Sequence, residues 1–177
     1  MALPAQLSAA LAVTSDDPSA LNTATFDNVT VNRNVLANPG FEWSTTLAPG
    51  WVSDTFRQTP AQSETTMPHS GTRNGACRKT AAVDCGLHQE VTAPATGNYM
   101  FRFFVHADQP GALVGVNING SSAGFAKVDE HVAGYYQDGV GVLAKAGDTI
   151  RVWMYSPATP GSVLIDDASL VIDTGPR

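Results

Sequence analysis

Two adjacent carboxylates, Asp166 and Asp167, stand inside an apolar stretch near the end of the chain, Leu164-Ile-Asp-Asp-Ala-Ser-Leu170. A third, Glu42, closes an earlier motif, Asn34-Val-Leu-Ala-Asn-Pro-Gly-Phe-Glu42. Both stretches read as hydrophobic strands, and strands prefer apolar or neutral residues at such places. A buried charge needs compensation. Calcium would supply it, because it takes several hard oxygen ligands at once and mixes carboxylates with backbone carbonyls. The competing reading is that these acids are exposed or accept N–H bonds from turns. Nothing in either motif would activate water, so such a metal is structural. A weak echo of the closing motif, Thr25-Phe-Asp-Asn-Val-Thr-Val31, precedes the opening one.

Among catalytic constellations, the sequence has no His-Glu-x-x-His and no Walker loop. Paired carboxylates for glycoside hydrolysis must flank a cleft, whereas Asp166 and Asp167 are neighbours in one stretch. Asp129-Glu-His131 reads as a solvated loop. No enzyme is expected from this chain alone.

The elements that must position these groups are strands. Short alternating or β-branched runs recur between Gly, Pro, Asn and Asp, the pattern of an all-β sandwich. Strands are expected at 10–14, 24–31, 35–36, 40–43, 76–80, 87–91, 99–106, 113–118, 139–144, 149–155 and 162–172. Turn chemistry separates them, as in Asn119-Gly120 and the Ala-Gly-Asp of 146–148. Phase then sorts the faces. Tyr99, Phe101, Phe103 and Val105 fall on one side, and Met100, Arg102, Phe104 and His106 on the other. Ile150, Val152 and Met154 alternate with Arg151, Trp153 and Tyr155, and Val114, Val116 and Ile118 with Gly115, Asn117 and Asn119. The second sets mix Arg, Asn, His and large rings, unlike a plain solvated face. Trp51 reads as core.

With 177 residues the chain fits one domain plus an appendage. A hydrophobic fraction of 43% is ordinary for a globular protein, and only 15% of residues are charged, which favours turn-rich β structure. The net charge of −6 argues against nucleic acid or an anionic membrane as partner, since phosphate binding needs clustered Lys and Arg. Cys77 and Cys85 lie eight positions apart without a zinc-type Cys/His set. They suit a disulfide closing one hairpin, with free buried thiols as the alternative; a disulfide would imply an oxidising compartment. No run is long and apolar enough to span a bilayer. Residues 2–13 lack the basic start of a signal peptide, so an export signal is expected upstream.

Seven motifs in order carry a family resemblance: Asn38-Pro-Gly-Phe-Glu42, Gly50-Trp51, His69-Ser-Gly-Thr-Arg73, Leu87-His-Gln-Glu-Val91, Thr96-Gly-Asn-Tyr-Met-Phe-Arg-Phe103, Ala146-Gly-Asp-Thr-Ile150 and Ile165-Asp-Asp-Ala-Ser-Leu170. Over residues 34–172 they resemble the galactose-binding-like jelly rolls of carbohydrate-binding modules, especially the group of families 4, 9 and 22. Residues 10–31 resemble instead the last two strands of a laminin-G-like or concanavalin-like sandwich. The resemblance implies a jelly-roll β-sandwich at 33–173, preceded at 1–32 by a β-hairpin or extended segment and followed by a tail, 174–177.

The resemblance also implies a structural calcium joining the first and last strands. It maps onto the Glu42 and Asp166 side chains, with Asp167 beside them and backbone oxygens around 38–40 and Gly71 to Arg73. In such a jelly roll the strands at 99–106 and 149–155 are expected to be neighbours, flanked by 113–118. Arg102, Phe104, His106, Asn117, Arg151, Trp153 and Tyr155 would then form one outward patch. Rings stack on the apolar C–H faces of sugars and polar groups bind their hydroxyls, so this patch is expected to bind a polysaccharide or oligosaccharide. Phe56, Phe125 and Tyr135 are the candidates for a loop-tip site. The expected protein is a secreted, bacterial, non-catalytic glycan-binding module. The alternative is a subunit of an extracellular filament, self-associating by strand addition from residues 1–31.

Overall fold

Alternation of apolar and polar residues becomes strand along most of residues 34–54 and 58–173, which the computed structural model describes. These lie within the second of two units into which the chain divides, Met1–Val31 and Asn32–Arg177. The expected N-terminal hairpin, sandwich remnant and assembly arm, the tail at 174–177, and Phe56 all fall outside the described residues.

The strands in chain order are β1 (Val52–Ser53), β2 (Thr59–Pro60), β3 (Gln62–Glu64), β4 (Asn74–Lys79), β5 (Cys85–Thr92), β6 (Gly97–Ala107), β7 (Leu113–Ile118), β8 (Ser121–Lys127), β9 (Tyr136–Ala144), β10 (Thr149–Ser156) and β11 (Gly161–Asp173). They form two sheets with no helix among the described residues. The first sheet runs β1-β5-β10-β7-β8, with β2 added to β5; the second runs β3-β4-β11-β6-β9. Pairing is antiparallel except for the short β2–β5 bridge. The expected all-β sandwich is present.

The predicted phases place the core between the sheets. Phe101, Phe103 and Val105 of β6 face Val114 and Val116 of β7 and Ile150, Val152 and Met154 of β10, all fully buried. Each such side chain contributes about 1.5–3 kcal/mol relative to exposure. Trp51 is buried as expected and stacks on Phe41, ring centroids 5.0 Å apart.

Four expectations are corrected. Residues 35–36 and 40–43 are not strands. Asn38 and Phe41 take positive φ (46° and 61°), and Phe41 N–H donates to Asn38 O, forming a turn that drives Phe41 into the core. Buried Asn38 also accepts from Trp51 Nε1–H through its carbonyl, at 2.9 Å. A strand was not expected at β8, where Ser-Ser-Ala-Gly carries no alternating signal. Cys77 and Cys85 are joined, but the bond closes no hairpin: β4 belongs to the second sheet and β5 to the first. Finally, β6 and β10 are not neighbours. The partners of β10 are β5 and β7, and those of β6 are β11 and β9.

Candidate functional site

That last correction divides the expected patch. Arg151, Trp153, Tyr155 and Asn117 stand on the outer face of the first sheet; Arg102, Phe104 and His106 stand on the outer face of the second. The sandwich core separates the two groups.

On the first sheet, register builds the site row by row. Trp153 stands between His88 of β5 and Gly115 of β7, and Gly115 pairs onward with Phe125 of β8. Arg151 stands between Glu90 and Asn117, and Asn117 pairs with Ser122. The indole leans across β7: its Nε1–H donates to Asn117 Oδ1 at 2.9 Å, and a Cβ at Gly115 would overlap Cζ2 of the ring. Glycine inside a strand marks just such a close approach. One face of the half-buried ring therefore rests on the Gly115 backbone, and Trp153 lines a cavity of about 380 Å³ with Asp54, Asn117, Ser122, Arg151 and Tyr155.

Beside the indole lies a charged cluster. Asp54 is 7% exposed and its N–H donates to Gly86 O at 2.9 Å. Gly86 makes room for it, since a Cβ there would stand 2.6 Å from Asp54 Oδ2. Arg151 Nη2 donates to Asp54 Oδ1 at 2.7 Å, and His88 Nδ1 lies 2.6 Å from the same oxygen. Arg151 Nη2 also lies 2.9 Å from that Nδ1, so the three groups meet at one point. Glu90 Oε1 lies 3.6 Å from Arg151 Nη1. Two carboxylates thus flank one guanidinium, fixing its plane and offsetting its charge.

The second sheet's outer face is built differently. The Phe104 ring is covered by the His69 imidazole, with centroids 3.6 Å apart and planes 15° apart, and Tyr135 meets His69 edge-on at 5.5 Å. Gly134 O lies 3.0 Å from His106 Nδ1, and Asn74 Nδ2 donates to the Tyr135 hydroxyl at 3.1 Å. Burial, reinforced by the Asp166 charge, pushes the Tyr135 phenol up from its ordinary value. Phe104 and His106 are therefore packing groups under a loop. Arg102 stays exposed beside a groove of about 530 Å³, whose outward side chains include Met100, Leu143 and Val171. Its one lining ring, Tyr99, is buried in the core, so the groove offers no stacking surface.

The three motif carboxylates all accept bonds from the 69–73 loop, Asp166 and Asp167 from the point where β11 bulges. Its register on β6 shifts between Asp166 and Ser169, and Asp167 takes a φ of 46°. Buried Asp166 accepts N–H bonds from His69 (2.9 Å) and Ser70 (3.2 Å) on Oδ2 and from Asp167 (2.8 Å) on Oδ1. Asp167 accepts from the Ser70 hydroxyl at 2.7 Å and lies 2.6 Å from His69 Nδ1. Glu42 accepts from the Thr72 and Arg73 amides at 2.7 and 2.8 Å and from the Thr72 hydroxyl at 2.6 Å. Burial pushes the Asp166 carboxyl up to about 6 against those amide bonds. Burial also opposes ionisation of Glu42, but the Thr72 hydroxyl, the two amides and the Arg73 charge outweigh it and hold that carboxyl below its usual range.

Two glycines shape this centre. Gly71 has a φ of 61°, and a Cβ there would overlap the Glu42 carboxylate. A Cβ on Gly40 would stand 3.6 Å from Asp167 Oδ1, 3.9 Å from Asp166 Oδ1 and 3.8 Å from Glu42 Cγ. Two carboxylate oxygens, of Asp166 and Asp167, thus face the side-chain-free Gly40, while the Glu42 carboxylate is turned to the 71–73 turn; oxygen donors of this kind are the hard ligands calcium takes. Among the described residues, Asp129, Glu130 and His131 are the group whose ligand atoms lie within 4.8 Å of one another, but Asp129 and His131 are exposed, as expected of a solvated loop.

No family model matches the chain, and no curated protein matches it. Solved structures do. TmCBM61, determined in complex with β-1,4-galactotriose, aligns with a TM-score of 0.63 at 22% identity, over 80% of this chain and 99% of that one. The fold is the jelly roll of carbohydrate-binding modules. A xylan-binding domain of family 22, from Xyn10C of Paenibacillus barcinonensis, aligns at 0.58 and 12% identity, over 84% and 99% of the two chains. The same jelly roll also underlies a cyclase from Fischerella sp. TAU, at 0.58 and 12% identity over 83% and 100%. The fold therefore hosts binding and catalysis alike, and function has to be read from the site.

Of the patch expected from the sequence, the structure keeps Trp153, Arg151, Asn117 and Tyr155 on one face and sets Asp54, His88 and Ser122, which the sequence reading did not single out, beside them. The available signal was the pair of in-strand glycines, Gly86 and Gly115, which mark where a side chain lies down on the backbone.

Proposed function

We propose that this domain is a non-catalytic carbohydrate-binding module that holds an uncharged polysaccharide on the outer face of its first sheet. One observation carries the reading: the Trp153 indole is laid on Gly115 and tethered by Asn117, next to the Asp54–His88–Arg151 cluster. A fixed ring offers a stacking surface without ordering cost on binding, and the flanking groups offer donors and acceptors to sugar hydroxyls. The pairing of Arg151 with Asp54 and Glu90 favours a neutral chain over an anionic one. The Cys77–Cys85 disulfide fits an extracellular protein. In a secreted polysaccharide-active parent, such a module raises the effective concentration of its neighbours at the substrate. The filament alternative depends on residues 1–31, outside the described residues.

Titration calorimetry of the full chain against β-glucan, xylan, mannan and galactan oligosaccharides tests the reading. At least one should bind, and Trp153→Ala should abolish that binding while Phe104→Ala leaves it intact. Binding that survives Trp153→Ala would remove this face from consideration.

Calcium completes the proposal as a structural ion held by Glu42, Asp166 and Asp167 with oxygens of the 38–40 and Gly71 to Arg73 turns. When bound it supplies positive charge to the buried Asp166 and pins β11 to both loops. Thermal melting should show a midpoint several degrees higher in calcium than in EGTA, and Asp166→Asn should erase the difference. Identical midpoints for the wild-type protein in both buffers would reject the site.

A further inference from the structure

Resting on the glycan reading of the first sheet, we propose that Phe125 supplies a second stacking subsite. The bound chain then runs across the strands, from Trp153 over Gly115 to Phe125, rather than along β10.

The register makes this row. Trp153 pairs with Gly115, and Gly115 pairs with Phe125. Directly paired residues on antiparallel strands hold their Cβ positions about 5 Å apart on one face. Phe125 therefore rises one strand spacing beyond the position that the indole covers. The indole leans in that direction, because both of its anchors, Gly115 and Asn117, belong to β7. Gly115 raises no side chain between the two rings.

The edge strand carries its own evidence. β8 reads Ser-Ser-Ala-Gly-Phe-Ala-Lys, so Phe125 is a lone ring among small and polar residues. It is 53% exposed, on the outward side of its strand. Core packing does not account for it, since the inward positions of β8 are Gly124 and Ala126. On the same outward side, Ser122 faces Asn117 and lines the Trp153 cavity. The register shift at Val116/Asn117 lies between those two rows, and such bulges re-aim side chains beside binding sites. Ring and hydroxyl on β8 thus repeat the combination of indole and amide one strand earlier.

Along β10 toward Arg151 there is no second ring. Arg151, the residue preceding Trp153 on that face, is tied to Asp54 and Glu90. Across the strands the next outward side chain beyond Gly115 is the Phe125 ring.

Calorimetry with oligosaccharides from disaccharide to hexasaccharide, drawn from cello-, xylo-, manno- and β-1,4-galacto-series, tests the second subsite. For the series that binds, Trp153→Ala should abolish binding at every length. Phe125→Ala should leave the shortest bound ligand unchanged and weaken the longer ones by about tenfold, a change of the size one ring contact confers. Phe125→Trp should restore the longer ones, and unchanged melting of both variants will show that the exposed site is not needed for folding. Wild-type affinity at all lengths for Phe125→Ala, together with loss for Trp153→Ala, would overturn the second subsite and leave the first standing. Failure of wild-type protein to bind any series would overturn the glycan reading itself.

Discussion

Gly115 decides where the indole lies. Any side chain there would occupy the space of the ring, and its Cβ would also stand 2.7 Å from Gly124 O on the neighbouring strand. Gly115→Ala should therefore displace Trp153, break its bond to Asn117 and cost about 1–3 kcal/mol of stability through overpacking. Urea unfolding gives the stability, and calorimetry should show glycan affinity falling with it; a variant that binds like wild type would show that the ring needs no such seat. At this scale the sequence was legible where period carried the message: Arg151, Trp153 and Tyr155 alternate with Ile150, Val152 and Met154, and the structure keeps that phase. It was silent on Asp54. That residue follows a strand of two residues, too short for any period, and reaches the site only because β1 pairs with β5 and Gly86 makes room.

Among elements, β4 and β5 are consecutive in sequence yet lie in different sheets, and Cys77–Cys85 is the covalent tie between them. Both cysteines are fully buried, so the bond crosses the core rather than stapling a turn. For a loop this short, chain entropy predicts a contribution of about 2–3 kcal/mol. Replacing both cysteines by alanine should lower the free energy of unfolding by at least that amount, since each truncation also removes buried sulfur. A denaturation curve coincident with wild type would mean that the sheets need no tie. The elements show why topology was harder to read than strand positions. Alternation identifies β6, β7 and β10 from their own residues, but nothing within a strand names its neighbours. The swap of β6 for β5 beside β10 split a seven-residue patch into two faces. The opening motif failed differently: Pro39-Gly40 and a left-handed Asn38 make a turn of what hydrophobicity alone reads as strand.

For the whole molecule, charge sets the choice of partner. The net charge of −6 repels polyanions at long range, and at the site the one central guanidinium is already shared between Asp54 and Glu90. An anionic chain would have to compete with carboxylates that are covalently held in place, against a like-signed field. A neutral chain meets neither cost: it needs a ring to stack on and donors and acceptors that are already oriented. Affinity electrophoresis should therefore show retardation in gels containing a neutral β-glucan, xylan, mannan or galactan, and none in polygalacturonate or alginate. Because the attraction is not ionic, retardation should be nearly the same at 50 and 500 mM salt, whereas a charge-driven contact would weaken steeply as the Debye length shortens to a few ångströms. Retention by alginate that disappears with salt would place the binding surface on Arg102 and the second sheet instead, where that guanidinium stands exposed.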